Sequence, residues 1–176
     1  MEALKFMRPD RVAPFTAIAW PFPGEWLTVE EAPALCRRGV HGIRTTVLPT
    51  WIAEELWRIE LDGAEEIASG IVVGSRGRLL TGVDEWSDET AREFSLACAH
   101  HVRHLGAKSE RAGDYVADAA RSAPNARAGS SAALVGYMAA HAAEAASPGG
   151  FSREREWQAD WLVDRLGLAP GRAELA

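Results

Sequence analysis

The sequence contains few of the residues and motifs that form metal centres and covalent cross-links. Its only cysteines are Cys36 and Cys98, which lie far apart and form no CxxC pair. This spacing gives no cysteine metal-ligand motif and favours two free thiols over a disulfide. No GxGxxG, GxxxxGK[ST] or GxSxG motif is present either. We therefore expect no metal and no cofactor.

Long apolar runs and an excess of positive charge are also missing. No segment approaches the ~20 apolar residues that cross a bilayer, and the first residues lack the pattern of a signal peptide. The formal net charge is -6, which offers no basic field to attract a nucleic-acid backbone. These absences predict a cytoplasmic protein that binds neither membranes nor nucleic acid.

Lysine is almost absent, whereas arginine, alanine and glycine are frequent. Lys5 and Lys108 are the only lysines. The frequent residues have GC-rich codons, which predicts a high-GC source such as an actinobacterium and says nothing about mechanism. The 47% hydrophobic and 25% charged residues are typical of folded globular chains, and the length suits one domain over residues 1–176.

Short runs of β-forming residues between turn residues characterise residues 1–86. They predict a mostly antiparallel sheet with one short helix at 48–55, where Pro49 falls in the first turn. The predicted strands are 16–20, 25–29, 39–44, 56–61, 67–73 and 78–83. Within 56–61 the side chains alternate, so Leu56, Arg58 and Glu60 share one face and Trp57, Ile59 and Leu61 the other.

Residues 87–168 carry helical patterns instead, and residues 169–176 form a tail. Ser87 is a predicted N-cap, residues 132–146 form an Ala-rich helix, and a last helix runs from an N-cap at Ser152 to Leu166 before Gly167. We expect three to four helices packed on the sheet, which makes the fold class α+β.

The most suggestive chemical group is His41, which lies between two glycines of a predicted strand. Glycines at these positions let another group approach the backbone, and a histidine can act as a general acid or base near neutral pH. Arg44 follows closely and is able to hold an anion with two hydrogen bonds. The competing interpretation is a histidine packed against the sheet, with the glycines serving a turn or bulge.

Tryptophans are numerous in the same half of the chain, and they suit the walls of an apolar ligand site as well as a core. We therefore predict a Trp-lined pocket for a small-molecule ligand. The predicted catalytic residues are His41 and Glu60, and the predicted substrate-binding residues are Arg44, Trp51, Trp57 and Arg58. The expected reaction is a proton transfer without cofactor, as in an isomerase or cyclase.

The histidines of 100–104 are a weaker candidate. His100 and His104 are one helical turn apart, but the glutamate of an HExxH zinc motif is absent and Arg103 disfavours a dication. His101 shares a helical stripe with Cys98, which favours a hydrogen-bonded core histidine over a metal ligand.

The segments Cys36-Arg37-Arg38-Gly39-Val40-His41-Gly42-Ile43-Arg44, Leu48-Pro49-Thr50-Trp51 and Glu55-Leu56-Trp57-Arg58-Ile59-Glu60-Leu61-Asp62-Gly63 resemble an uncharacterised actinobacterial and phage-associated family. Its members carry a Gly-Leu/Val-His-Ala-Ser/Cys box, a short helix, an acidic strand ending in Gly, a basic hairpin and an Ala-rich helical tail. This sequence has Gly42 and Ile43 where the box has Ala and Ser or Cys. The resemblance implies the fold and carries no activity.

Two other functions stay open. The Ala-rich helix at 132–146 suits a protein-interaction module or a homodimer, in which it packs against a partner. In addition, His41-Gly42 is similar to the His-Gly box of ADP-ribosyltransferases, which also need an aromatic residue, usually tyrosine, and an acid. The only tyrosines, Tyr115 and Tyr137, both lie in the helical half.

Overall fold

The first half of the chain folds into one seven-stranded sheet in the computed structural model, which describes residues 1–29 and 39–168. The strands are β1 (Glu2–Met7), β2 (Trp26–Thr28), β3 (Val40–Ile43), β4 (Glu55–Asp62), β5 (Glu65–Ala68), β6 (Ile71–Gly74) and β7 (Arg76–Gly82). Their order is β2-β7-β4-β1-β3-β6-β5, and every neighbouring pair is antiparallel.

The second half is helical. Its helices are α1 (Asp88–His101), α2 (Glu110–Ser122), α3 (Ser130–Ala146) and α4 (Gly150–Arg165). Ser87 caps α1 as predicted, because its side chain accepts a hydrogen bond from the Thr90 amide. The predicted α+β fold, a mostly antiparallel sheet followed by helices, is thus confirmed.

The central strand β1 was not predicted. Its residues include Glu, Ala, Leu, Lys and Met, which have good intrinsic helix propensity, but six residue pairs with β4 fix them as a strand. Residues 16–20 are not a strand, and only a single bridge joins Ala19 to Val12. The predicted strand 67–73 is in fact two strands, since Gly70 turns the chain with a φ of +74°.

Two helix predictions also need correction. The short helix at 48–55 is a 3₁₀ helix over Thr45–Trp51, and Pro49 inside it has no amide hydrogen to extend a helical ladder. The last helix begins at Gly150 rather than after Ser152, because Gly149 turns into it with a φ of +73°. Its end is as predicted: Gly167 has a φ of +59°, and the Leu168 amide donates to the Val163 carbonyl.

The sheet separates two hydrophobic cores. Leu4, Phe6 and Leu56 face the helices and belong to the larger core, whereas Ile59 and Leu61 belong to a second core on the other face. Leu56 and the Ile59/Leu61 pair were predicted to lie on opposite faces, and they do.

The second core is enclosed because the sheet curls. A Cβ atom at Gly77 of β7 would lie 2.7 Å from Val40 of β3, although two strands separate β7 and β3 in the sheet. A Cβ at Gly42 would similarly lie 2.8 Å from the Ala3 side chain and 3.0 Å from Ile59. The face that carries Ile59 and Leu61 is therefore the concave interior of a half-barrel.

Candidate functional site

A largely apolar cavity of about 390 Å³ opens where β1 and β3 part. The two strands share one register pair, Leu4 opposite Ile43, so they diverge beyond it. Residues within 13–20, together with Leu27 of β2 and Val29 just after it, supply much of the wall. Apolar side chains that line it include Pro14, Phe15, Ile18, Trp20, Leu27 and Trp51.

Among the described residues that line this cavity, Lys5 is the one with a formal charge. Its Nζ donates a hydrogen bond to the His41 carbonyl oxygen at 2.8 Å and lies 5.2 Å from the centre of the Trp20 ring. No carboxylate in the described ranges 1–29 and 39–168 forms an ion pair with it. The cavity therefore places an ammonium group against apolar and aromatic walls.

Loss of water around Lys5 changes its acidity. Desolvation lowers the pKa of the Lys5 ammonium from 10.5 to about 8, because the charged form loses more hydration than the neutral amine. The side chain remains partly accessible, since it lines the cavity. Lys5 is thus a desolvated group that has no ion pair among the described residues, and perturbed pKa values of this kind cluster at functional sites.

Two of the predicted site residues line the cavity. His41 is one of the lining residues, and its carbonyl oxygen accepts the hydrogen bond from Lys5, while its Nδ1 lies 3.2 Å from the Gly39 carbonyl oxygen. Trp51 packs edge to face with Phe15, their ring centres 5.5 Å apart, and Phe15 is 81% exposed at the rim. His41 and Trp51 therefore stay candidates for ligand contact.

The other four predicted site residues do not line the cavity. Glu60 forms an ion pair with Arg78 at 2.6 Å, and Arg58 is exposed. Both lie on the sheet face opposite the Ile59/Leu61 interior. The expected convergence of Glu60 and Arg58 with His41 on one hollow is not found, because the curled sheet puts the cavity and these charges in different places.

Arg44 and Trp57 are held by neighbours outside the cavity. Arg44 donates to the Glu2 carbonyl oxygen at 3.1 Å and lies 3.7 Å from a Glu66 carboxylate oxygen. Trp57 donates from Nε1 to Glu55 at 2.9 Å. These contacts account for both side chains without a ligand.

Sequence reasoning missed Lys5, although a signal was present. Lys5 interrupts the apolar residues Ala3, Leu4, Phe6 and Met7, and it is one of only two lysines. A charged residue inside an apolar strand is expensive to bury unless it is paired or has a function. That argument needed β1 to be recognised as a strand.

A second polar cluster lies between α1 and α4. Glu154 is only 4% exposed, and it accepts hydrogen bonds from His101 Nδ1 at 2.8 Å and Gln158 Nε2 at 3.1 Å. Trp157 stacks on the His101 ring at 3.8 Å between centres. Burial raises the pKa of Glu154, although the hydrogen bonds to Gln158 and His101 oppose that shift. His101 is hydrogen-bonded as predicted, but 40% of its side chain is exposed, so it is not a core residue.

Cysteine and metal chemistry find no centre in the described residues. Cys98 is a buried free thiol, and burial raises its pKa, which makes it less reactive. Cys36 lies outside the described residues. Across residues 1–29 and 39–168, no group of three or more His, Cys, Asp or Glu side chains is placed to hold a metal ion.

No family model, curated protein or solved structure matches this chain. Within the described part of the chain, none of the helices combines the length and apolar character needed to span a membrane.

Proposed function

We propose that the protein binds a small molecule in the cavity beside β1 and β3, and that Lys5 contacts the polar end of that molecule. The observation that carries this proposal is a desolvated lysine whose ammonium contacts a carbonyl oxygen and no described carboxylate. A ligand with an acidic or carbonyl oxygen supplies the missing partner.

The size and lining of the cavity support a compact, mostly apolar ligand. Its volume of about 390 Å³ lies at the lower end of the roughly 300–1,000 Å³ typical of small-molecule sites. Trp20, Leu27 and Trp51 supply apolar area, which drives association without orienting the ligand. Lys5 supplies the orientation, since a hydrogen bond to a charged group is directional and strong in a dry site.

The catalytic part of the hypothesis concerns His41. This residue lines the same cavity as Lys5, and an imidazole is suited to move a proton near neutral pH. A cofactor-independent isomerase or cyclase remains the reaction class that we propose for an enzymatic version of this site. Glu60 has no part in it, because it lies outside the cavity.

The structure offers less support for the alternative functions. Buried residues of α3 include Ala132, Gly136, Ala139 and Ala143, so its small residues serve close packing within this chain rather than an open docking face. Tyr115 and Tyr137, which an ADP-ribosyltransferase site would need near His41, belong to α2 and α3 and do not line the cavity.

Binding of a paired ligand set tests the proposal. We expect 2-naphthoate to quench tryptophan fluorescence and to raise the melting temperature, and 2-naphthalenemethanol to bind more weakly because it carries no charge for Lys5. The Lys5→Met variant should lose about tenfold to a hundredfold in naphthoate affinity, the size of a hydrogen bond to a charged group, while affinity for the alcohol should change little.

The matched control is Lys108→Met, which removes the other lysine from an exposed position. This variant should bind naphthoate like the unmodified protein. Equal naphthoate affinities of Lys5→Met and Lys108→Met would contradict a role for Lys5, and no binding of either naphthalene compound would contradict the cavity as a site for ligands of this size.

A further inference from the structure

We propose that Lys5 is a covalent reaction centre whose amine condenses with the carbonyl carbon of an aldehyde or ketone ligand to form an imine. This inference rests on the proposed function, since the carbonyl compound must first enter the cavity beside β1 and β3. It adds the substrate class and the kind of bond formed.

The position of Lys5 favours attack on a bound carbonyl compound. The amine donates a hydrogen bond to the His41 carbonyl oxygen, 2.8 Å away, and no carboxylate of residues 1–29 or 39–168 pairs with it. Trp20 and the other apolar walls reduce the contact of the amine with water. Imines hydrolyse readily in water, so a dry site favours their persistence.

The reaction needs no partner beyond the ligand. The neutral Lys5 amine donates its electron pair to the carbonyl carbon, a C–N bond forms as the C=O π bond opens, and one proton passes from nitrogen to oxygen to give a neutral carbinolamine. The nitrogen then loses a proton and the hydroxyl group leaves as water, which gives a C=N bond. One amine and one carbonyl thus become one imine and one water, with no change of oxidation state.

The lowered pKa of Lys5 supports the same proposal. With a pKa of about 8, about one tenth of the Lys5 side chains are neutral at pH 7, roughly 300 times the fraction for a lysine with the ordinary value of 10.5. Lysines that form imines are commonly desolvated in apolar pockets for this reason.

An imine at Lys5 would also explain how proton transfer proceeds without a cofactor. The protonated C=N group withdraws electrons from the adjacent carbon and makes its C–H bond more acidic. A base that lines the cavity, for which His41 is the candidate, is then able to remove the proton from that carbon. The imine thereby links Lys5 to the isomerase or cyclase class.

The test traps the imine by reduction. The full-length protein is incubated at pH 7 with 2-naphthaldehyde and sodium cyanoborohydride, and peptide mass mapping locates the reduced adduct at Lys5, Lys108 or the N-terminal amine. We expect modification at Lys5 to be at least about tenfold faster than at Lys108, because its neutral fraction is larger. 2-Naphthalenemethanol should slow modification of Lys5 by competition and leave Lys108 unaffected.

The outcomes separate this inference from the proposed function. If the alcohol and naphthoate bind but Lys5 is modified no faster than Lys108, the imine proposal is overturned and ligand binding stands. If no naphthalene compound binds and Lys5 is not modified preferentially, both fail. Because this test compares two lysines of the unmodified protein, its result does not depend on whether a substituted variant folds.

Discussion

Each half of the molecule contains a charged side chain that is partly or fully withdrawn from water, Glu154 in one and Lys5 in the other, and the two sites are built differently. In the helical half, Glu154 receives hydrogen bonds from His101 and Gln158, so both carboxylate oxygens have partners. In the sheet half, the described neighbours of the Lys5 ammonium are a carbonyl oxygen and an aromatic ring. The helical cluster therefore places hydrogen-bond donors around its acid, whereas no described carboxylate pairs with Lys5.

Under the proposed function, this difference is the one expected between a structural polar group and a ligand-binding one. A buried charge whose partners are complete fixes the packing of the helices around it, and its loss is felt as lost stability. A desolvated charge with one described partner lowers the stability of the ligand-free protein. Proteins commonly accept such a loss of stability at a site that must bind a ligand. The comparison therefore predicts opposite effects when the two groups are removed.

The largest effect is expected for Glu154→Ala. This change leaves the Gln158 amide and the His101 ring without their buried partner, which should cost about 2–4 kcal/mol of unfolding free energy. Urea unfolding at pH 7 measures it, and Glu156→Ala is the control because Glu156 is an exposed residue of the same helix. Equal losses for the two variants would show that the Glu154 cluster does not stabilise the helical half.

Gly42→Ala tests whether the half-barrel is closed as described. An added methyl group would lie 2.8 Å from the Ala3 side chain and 3.0 Å from Ile59, and such overpacking should cost about 1–3 kcal/mol. Gly82→Ala is the control in the same sheet, because its Cβ would meet only an Asp84 carboxylate oxygen at 3.4 Å. A Gly42→Ala protein as stable as Gly82→Ala would mean that β3 does not close over β1 and β4.

Lys5→Met should change the unfolding free energy in the opposite direction and stabilise the protein. At pH 7 the protein carries a desolvated ammonium, so its removal should raise the unfolding free energy by about 1–3 kcal/mol. The unfolded chain keeps the proton up to the ordinary pKa of 10.5, whereas the folded chain loses it near 8. The unfolding free energy of the unmodified protein should therefore rise between pH 8 and 10.5. The difference in unfolding free energy between Lys5→Met and the unmodified protein should become smaller over the same range.

Denaturant unfolding at pH 7 and pH 10 measures that change. Lys108→Met serves as the comparison, and because Lys108 is exposed, its stability difference from the unmodified protein should be small at both values. A Lys5→Met difference that stays constant between the two pH values would refute the desolvation of Lys5.

The smallest effect is expected for Glu60→Gln. The Glu60–Arg78 pair lies at the surface, with 35% of each side chain exposed, and such pairs contribute about 0–1 kcal/mol. Naphthoate affinity should not change, since Glu60 does not line the cavity. A marked loss of naphthoate affinity, measured by fluorescence titration, would show that Glu60 contacts the ligand. It would contradict the placement of the ligand in this cavity.

Local sequence patterns were enough for much of the fold. The alternation in 56–61 separates two faces because side chains of a strand point to opposite sides, and Gly167 ends the last helix because glycine adopts a positive φ at little cost. The central strand β1 was missed, because its residues favour helices and only pairing with β4 makes it a strand. Local preference decides an element only where no partner overrides it.

The candidate site was predictable only in part. His41 and Trp51 were found because a glycine-flanked histidine and a clustered aromatic are visible along the chain. Glu60 and Arg58 were placed with His41 because they share a strand face and could form a charged pair in a shared cleft, but the strand face that they occupy does not line the cavity. Lys5 was overlooked because a lone lysine gains meaning only when its strand is known to lie inside a curled sheet.

The sequence by itself determined that this chain is α+β, with antiparallel strands first and helices after, because strand and helix periodicities are written in neighbouring residues. Tertiary structure decided which charges meet which neighbours. Curvature of the sheet brings Gly77 against Val40 and leaves Lys5 among aromatic walls, since contacts between distant residues depend on how strands close and not on the order of the residues.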